Sequence, residues 1–547
     1  MRPVRYLRSM LPSWADYRSV KRTWRGDLIA GITVGIVALP LALAFGVSSG
    51  AGAASGLVTA VVAGIIAAVF GGSNIQVSGP TGAMVVVLGP IVATHGPGVV
   101  AIVSLMAGVV VVLGGLLRLG RFVAFIPWPV IEGFTLGIAV IIFLQQVPAA
   151  AGAKPGQSSN AFVSAVQSLG AVRWSVVVWP IFAAALVAVI MLVAPRIHRK
   201  LPGSIIAIVV VSVLAAVVHV PLLRIGTLPA TLPSPRLPDF TTATLLELGG
   251  PALTVAALAA IESLLSARVA ASISDTGAFD ADRELVGQGL ASIASGFFGG
   301  MPATGAIART AVNVRTGGKT RVAAMVHALV LLAIVYVAST VVSQIPLAAL
   351  AGVLMVTACR MISIATVRSV VGSTGSDAVV FVLTAVITVS FDLIVAVGIG
   401  IVAAGIFALV TLARSGGVHR EPLPSPAEVG DEHIALFRLE GALFFGAADR
   451  MLDEIIRTED VSVVILRMSQ LQVLDATGAR VITEMITALE RRGVTVLVKG
   501  IQPRHLRLAS RVGVIASLRH SNHLFTDLPA AVEHARSHIT RESATMA

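Results

Sequence analysis

The chain has 547 residues, of which 56% are hydrophobic and 12% charged, with a net charge of +12. Soluble globular chains carry about 25% charged residues, so this composition excludes a disordered chain, a disulfide scaffold and a secreted enzyme. The single cysteine, Cys359, allows neither an internal disulfide nor a cysteine-rich metal site.

Residues 1–26 contain Arg2, Arg5, Arg8, Arg18, Lys21, Arg22 and Arg25. They read as a cytoplasmic segment rather than a signal peptide, because no small-residue cleavage site follows cleanly. A transmembrane region of α-helices is predicted over 27–414. Runs long enough to cross a bilayer, which takes roughly 20 residues, or somewhat shorter, fall near 27–46, 53–70, 80–94, 98–117, 122–147, 176–195, 203–220, 251–268, 284–298, 304–315, 321–343, 346–363, 377–391 and 393–412. That makes fourteen spans of a polytopic α-helical membrane protein. Counted from inside, the cytoplasmic ends carry Arg118 and Arg121, then Arg196, Arg199 and Lys200, then Arg315, Lys319 and Arg321, then Arg368, then Arg414. The alternation obeys the positive-inside rule and puts both termini inside. It also accounts for the net charge: there is no basic stripe with interleaved aromatics, hence no nucleic-acid partner.

Two segments of the membrane region resemble each other. Phe70-Gly71-Gly72 precedes Pro80-Thr81-Gly82-Ala83, and Phe298-Gly299-Gly300 precedes Pro302-Ala303-Thr304-Gly305-Ala306. Seven predicted spans separate them, an odd number, so the two elements run in opposite directions, as in an inverted-topology repeat. Each reads as a half-helix that begins inside the membrane after extended chain (Ile75 to Ser78; Gly300 to Met301). Two such helices aim their free N–H groups and positive dipole ends at one cavity, which suits an anion. The candidate contacts are Pro80, Thr81, Gly82 and Ala83 in the first element, and Thr304, Gly305, Ala306, Ile307, Ala308 and Arg309 in the second. Arg309 reads either as a functional charge, adding positive field to the cavity or pairing with Glu262, or as a cytoplasmic anchor.

Glu262 stands in the middle of an apolar run, where a carboxylate costs several kcal/mol unless paired, hydrated or protonated. A protonated Glu262 can carry a proton through a transport cycle, with Ser266 one turn on at i+4. Glu132 reads as an interfacial residue, His327 as a packing residue and Asp392 as an outer boundary. No metal-ligand cluster, catalytic triad or phosphate loop is visible, so no cofactor, no metal and no enzymatic activity are expected.

Of the 28 acidic residues, 16 follow Gly417. Residues 415–430 read as a linker, and 431–540 as a small α/β domain. Its strand-like runs are Ile434–Leu439, Val461–Met468 and Val494–Val498; helical patterns cover Ala447–Arg457, Gly478–Arg491, Pro503–Arg511 and Pro529–Ser537. Asp475 caps a helix in Leu474-Asp475-Ala476-Thr477-Gly478, where Thr477 either completes the cap or accepts a phosphate. Residues 541–547 are left as a C-terminal tail.

These features together resemble the sulfate permease family, which includes prestin and the pendrin-like anion exchangers. The marks are Asp27-Leu28-Ile29-Ala30-Gly31 with Pro40, Ser78-Gly79-Pro80-Thr81, Ala260-Ile261-Glu262-Ser263, and Gly299 to Gly305 running on to Gly317-Gly318-Lys319-Thr320-Arg321. The tail resembles a STAS domain. The resemblance implies a seven-plus-seven inverted repeat, a core domain moving against a gate domain, and a homodimer in the inner (plasma) membrane with a cytoplasmic STAS domain. Leu41 stands where many relatives carry glutamine, Ala308 departs from the prestin-like serine, and Glu262 and Ile307 depart from the sodium-coupled bicarbonate members, which argues against sodium coupling. The pattern is most similar to members that couple protons to anions such as fumarate. The expectation is proton-coupled symport of sulfate or a small carboxylate; the alternatives are a bicarbonate carrier, a passive anion channel or exchanger, and a nucleobase carrier.

Overall fold

The computed structural model describes residues 8–443 and 460–546, with Tyr6 and Ile455, apart from residues 157, 159, 171, 173, 199, 200, 240, 392, 416 and 425. The chain divides into two compact units, Met1–Val402 and Ala403–Ala547.

The first unit is helical. In chain order its helices are α1 (Val20–Ser48), α2 (Ala53–Phe70), α3 (Gly82–His95), α4 (Val99–Leu116), α5 (Trp128–Ala150), α6 (Ala161–Gly170), α7 (Trp174–Ile197) and α8 (Gly203–Val217). They continue as α9 (Thr242–Ser272), α10 (Ala281–Phe297), α11 (Ile307–Arg315), α12 (Arg321–Val342), α13 (Leu347–Met361), α14 (Ile364–Val371), α15 (Gly375–Ser390) and α16 (Leu393–Ser415), the last of which runs past Val402 into the second unit. A helix occupies each interval predicted from the sequence. Among the described residues, nine stretches are long and apolar enough to cross a membrane on their own. The unit buries small residues and exposes large apolar ones, such as Val337 at 87% and Val341 at 74% on α12. That inversion of a soluble surface is what lipid selects.

Small residues set how closely these helices approach. A Cβ on Gly108 of α4 would sit 2.7 Å from the Gly289 carbonyl oxygen of α10, and one on Gly289 would sit 2.6 Å from the Gly108 carbonyl oxygen. Backbone touches backbone there, the packing that small residues allow between membrane helices.

Several expected boundaries move. Helix α1 begins at Val20, not Asp27, because Lys21, Arg22 and Arg25 extend it beyond the apolar run that composition detects. Asp27 is therefore inside the helix and fully buried. Its Oδ1 accepts from the N–H groups of Lys319 (2.7 Å) and Thr320 (3.0 Å), and its Oδ2 from Thr320 Oγ1 (2.7 Å). An acid from the first helix thus caps the start of α12, which explains the pairing of Asp27 with Gly-Gly-Lys-Thr nearly 300 residues later. Helices α6 and α14 were not expected; each is short.

The second unit carries a five-stranded sheet in the order β3 (Gly417–Glu421), β4 (Ile434–Leu443), β5 (Val463–Leu474), β6 (Thr495–Lys499), β7 (Leu524–Phe525). Strand β3 is antiparallel to β4, and the other pairs are parallel. Alternate residues of β4 feed opposite faces, as a period of two requires. Ala435, Phe437 and Leu439 join the core beneath α17 (Ala476–Arg491) and α18 (Pro503–Val512). Ile434 and Leu436 join Ala531, Val532, Ala535 and Ile539 of α19 (Leu528–Met546). Two expectations are corrected here. Residues 417–421 of the supposed linker form β3, since Val418 is buried. The supposed tail from 541 continues α19 to Met546, because no breaking residue interrupts it. The helix expected over 447–457 falls almost wholly outside the described residues.

Candidate functional site

The two resembling segments meet. Ser78–Gly79 (β1) pairs antiparallel with Thr304–Gly305 (β2), Ser78 opposite Gly305 and Gly79 opposite Thr304. The Ala306 N–H continues the ladder to the Val77 carbonyl at 2.9 Å. Helices α3 and α11 each begin within three residues of this strand pair, so both N-termini lie beside it. The extended chain runs three residues further than predicted in the first element, to Thr81, and in the second to Ala306. Neither N-cap, Thr81 or Ala306, bonds its helix through a side chain. The first-turn N–H groups are thus left without the usual cap.

One face of α11 stitches itself to the chain before α3. Thr310 Oγ1 accepts from the Val77 N–H (3.0 Å), and Asn313 Nδ2 donates to the Ile75 carbonyl (2.7 Å). The Arg309 guanidinium donates through Nη2 to the Pro80 carbonyl, while its Nη1 has no hydrogen-bond partner in the protein. Arg309 is 2% exposed. A buried guanidinium with a donor to spare, at the mouths of two helix N-termini, is a concentrated positive field. The expectation that left anchor or field open is thus narrowed: Arg309 is directed into the strand pair.

Helix α9 supplies the opposing wall. Glu262 Oε2 accepts from Thr81 Oγ1 at 2.8 Å. One residue on, Ser263 Oγ accepts from the Gly305 N–H (3.1 Å) and bonds Thr304 Oγ1 (2.8 Å), while Thr304 Oγ1 reaches the Ala259 carbonyl (3.3 Å). Pro80 and Thr81 therefore carry both charges of the site, the arginine on a carbonyl and the glutamate on a hydroxyl.

The other predicted residues divide. Gly82 and Ala83 are buried at the start of α3, and a Cβ on Gly82 would lie 2.2 Å from Ile142 Cδ1. Gly305 is pinned more tightly still, since a Cβ there would lie 1.5 Å from Gln76 Nε2. Thr304 is fully buried and turned toward α9. Ile307 and Ala308 are exposed at the first turn of α11. Ser266 is fully buried, but its Oγ has no partner, so the i+4 relation to Glu262 makes no hydrogen bond. Thr477 is exposed in the first turn of α17, where Asp475 alone makes the cap, to the Gly478 N–H at 2.7 Å.

Gln76, Ser263, Thr310, Asn313 and Gln288 were not singled out from the sequence. Gln288 Nε2 donates to Glu284 Oε1 at 2.9 Å, and Glu284 Oε2 accepts from the Gly72 and Ser73 N–H groups at 2.8 and 3.1 Å. Gln76, Ser263 and Gln288 are polar residues among apolar or small neighbours, the signal that could have found them; Thr310 and Asn313 lie in the polar sequence of α11, where no such contrast marks them.

A cluster in the second unit corrects the reading that no metal-ligand grouping exists. The imidazoles of His523, His534 and His538 lie with one nitrogen each within 4.8 Å of one another. The spacing His534-x-x-x-His538, one helical turn, was the available signal. Burial, then the neighbouring His538, His534, His520 and Arg519, push His523 down to about 4, so it is neutral at pH 7.

Known proteins resemble the chain in sequence and fold. A model of the sulfate permease family matches residues 24–384, and one of the STAS domain matches residues 425–531. The chain is 35% identical over 501 residues to a putative sulfate transporter, YvdB, of Bacillus subtilis, covering 89% of this chain and 93% of that one. It is 31% identical over 464 residues to the bicarbonate transporter BicA of Picosynechococcus, covering 79% and 81%. Among solved structures, the transmembrane domain of a cyanobacterial BicA superposes with a TM-score of 0.60 at 31% identity, covering 70% of this chain and 97% of that one. Murine Slc26a9 in its inward-facing state superposes with a TM-score of 0.81 at 18% identity, over 97% and 95%, a likeness of fold.

Proposed function

This chain belongs to the sulfate permease family, with a C-terminal STAS domain, and we propose that it is a proton-coupled carrier of sulfate or a small carboxylate such as fumarate. It is a membrane-embedded anion transporter by family and not an enzyme. The observation that carries the finer reading is the placement of Arg309 and Glu262 on adjacent residues of one strand-to-helix junction.

The anion binds between the N-termini of α3 and α11. Backbone N–H groups, Thr81 and the spare Arg309 Nη1 supply donors, and Gly82, Ala83 and Ala306 let it approach the backbone. Thr81 has one hydroxyl proton, and with Glu262 ionised that proton is committed to the carboxylate. When Glu262 gains a proton it can donate to Thr81 Oγ1 instead, and the Thr81 O–H is then released to the anion. Protonation also removes a negative charge from the anion's surroundings. Both effects make proton and anion bind together, and linkage makes the dependence mutual.

Symport follows if the site crosses only when it is empty or when it holds proton and anion together. The core domain carries the site against the gate domain in a fourteen-span, seven-plus-seven inverted repeat, an elevator-like cycle in a homodimer of the inner membrane with both termini cytoplasmic. The STAS domain then serves assembly or regulation, with Thr477 as its exposed phosphoacceptor. Bicarbonate is the second substrate reading, favoured by the identity to BicA.

The experiment is uptake of labelled sulfate, fumarate and bicarbonate into proteoliposomes with and without an acid-outside gradient. Concentrative uptake abolished by an uncoupler supports the proposal. Uptake that only equilibrates, whatever the gradient, identifies a passive pathway and overturns it.

A further inference from the structure

We propose that His523, His534 and His538 form a binding site for a divalent transition-metal ion of the zinc class. Two of the three ligands sit one turn apart on α19 and so project from the same helix face. The third ends a short 3-10 turn, Ser521–His523, just before strand β7. Their donor nitrogens all lie within 4.8 Å of one another. A tetrahedral zinc ion with bonds of about 2.0–2.1 Å holds its nitrogens roughly 3.3 Å apart, so small ring rotations close the site.

The second observation is unmet hydrogen-bonding capacity. His523 is 1% exposed, yet its Nδ1 has no hydrogen-bond partner in the protein, and neither has His534 Nε2. Buried polar nitrogens are ordinarily paired. Aromatic packing, with ring centroids 5.0–5.5 Å apart and largely edge-on, satisfies the ring faces but leaves those nitrogens unpaired. A metal ion satisfies them.

The donor set selects the ion. Three imidazoles suit zinc, copper or nickel, and magnesium and calcium prefer oxygen. Arg519, whose charge acts on His523, is in an ion pair with Glu490 at 2.8 Å, which reduces its repulsion of a second positive charge. Three ligands leave a fourth position for water or a small ligand. Bound metal would tie α19 to the chain entering the edge strand β7, making the last helix of this unit responsive to metal supply.

The test uses the full-length protein, purified in detergent through a tag without histidine and stripped with a chelator. Zinc chloride is titrated by calorimetry, and cobalt chloride is used to read the visible bands of tetrahedral Co²⁺. We expect one equivalent bound, a tetrahedral cobalt spectrum, and affinity at least about tenfold weaker in His534→Gln and His538→Gln. His433→Gln, elsewhere in the same unit, should bind as wild type. His523 is buried, so a misfolded His523→Gln is replaced as evidence by the two helix variants, whose circular dichroism must match wild type. Less than about a fifth of an equivalent bound to folded wild type, or unchanged affinity in the folded His534→Gln/His538→Gln double variant, overturns the site.

Discussion

The Thr81 hydroxyl donates to the Glu262 carboxylate at 2.8 Å, joining residues 181 positions apart in the chain. It ties the junction before α3 to α9, which also holds the junction before α11 through Ser263 and Thr304. A single hydroxyl proton shared between a carboxylate and a bound anion is a sufficient device for coupling the two.

Thr81→Val removes the donor while keeping the shape. Anion uptake at saturating proton gradient should fall about tenfold or more, since a hydrogen bond to a charged group contributes about 1.5–3 kcal/mol. Thr81→Ser should retain most of it. Equal activity of Val and Ser variants in proteoliposomes would show that the hydroxyl takes no part.

Glu262→Gln mimics the protonated acid permanently. Anion exchange should persist, while uphill uptake driven by an acid exterior should vanish. For wild type the sign is fixed by the linkage: anion affinity rises as pH falls, and in the Gln variant it becomes flat. A variant that still concentrates substrate removes Glu262 from the proton pathway.

Ala306→Trp places a large ring at the N-cap of α11, where Ala306 is 7% exposed. It should abolish binding while leaving the protein folded, read by labelled-anion binding and by circular dichroism that matches wild type. Normal uptake by the folded variant would place the anion elsewhere.

Gly305→Ala drives a methyl group into Gln76 and should lower thermal stability, overpacking costing about 1–3 kcal/mol. Adding Gln76→Ala vacates that space and should return most of the loss. A double-mutant cycle in the melting temperature measures the coupling. Strict additivity of the two changes would deny the contact.

In the second unit, hydrogen bonding to Arg536 holds the Asp431 carboxyl below its ordinary value of 3.8. A depressed acid adds stability above the unfolded-state value and loses it as pH falls through the folded one. The opening through which residues 428–436 exchange should therefore be constant between pH 7 and about 5 and become more frequent below pH 4, once the intrinsic exchange rate is divided out. Asp431→Asn should already show the faster opening at neutral pH.

Composition alone determined the class, because a chain with 12% charged residues cannot cover its apolar surface with polar groups in water. Helix positions were legible for the same reason, as apolar runs bounded by Lys and Arg, and the two Thr-Gly-Ala segments stood out as Gly/Pro interruptions in matching halves. The strands of the second unit were legible as short, nearly continuous apolar runs, the pattern of a sheet buried on both faces. Helix ends were not: Val20 to Gly26 is helical without being apolar, and composition reports solvent rather than backbone. Nor could spacing show that Arg309 turns onto Pro80, that Asp27 caps α12, or that His523 meets His534 and His538. Those contacts join positions far apart or on different elements, and only the folded chain decides which polar groups satisfy one another once water is excluded.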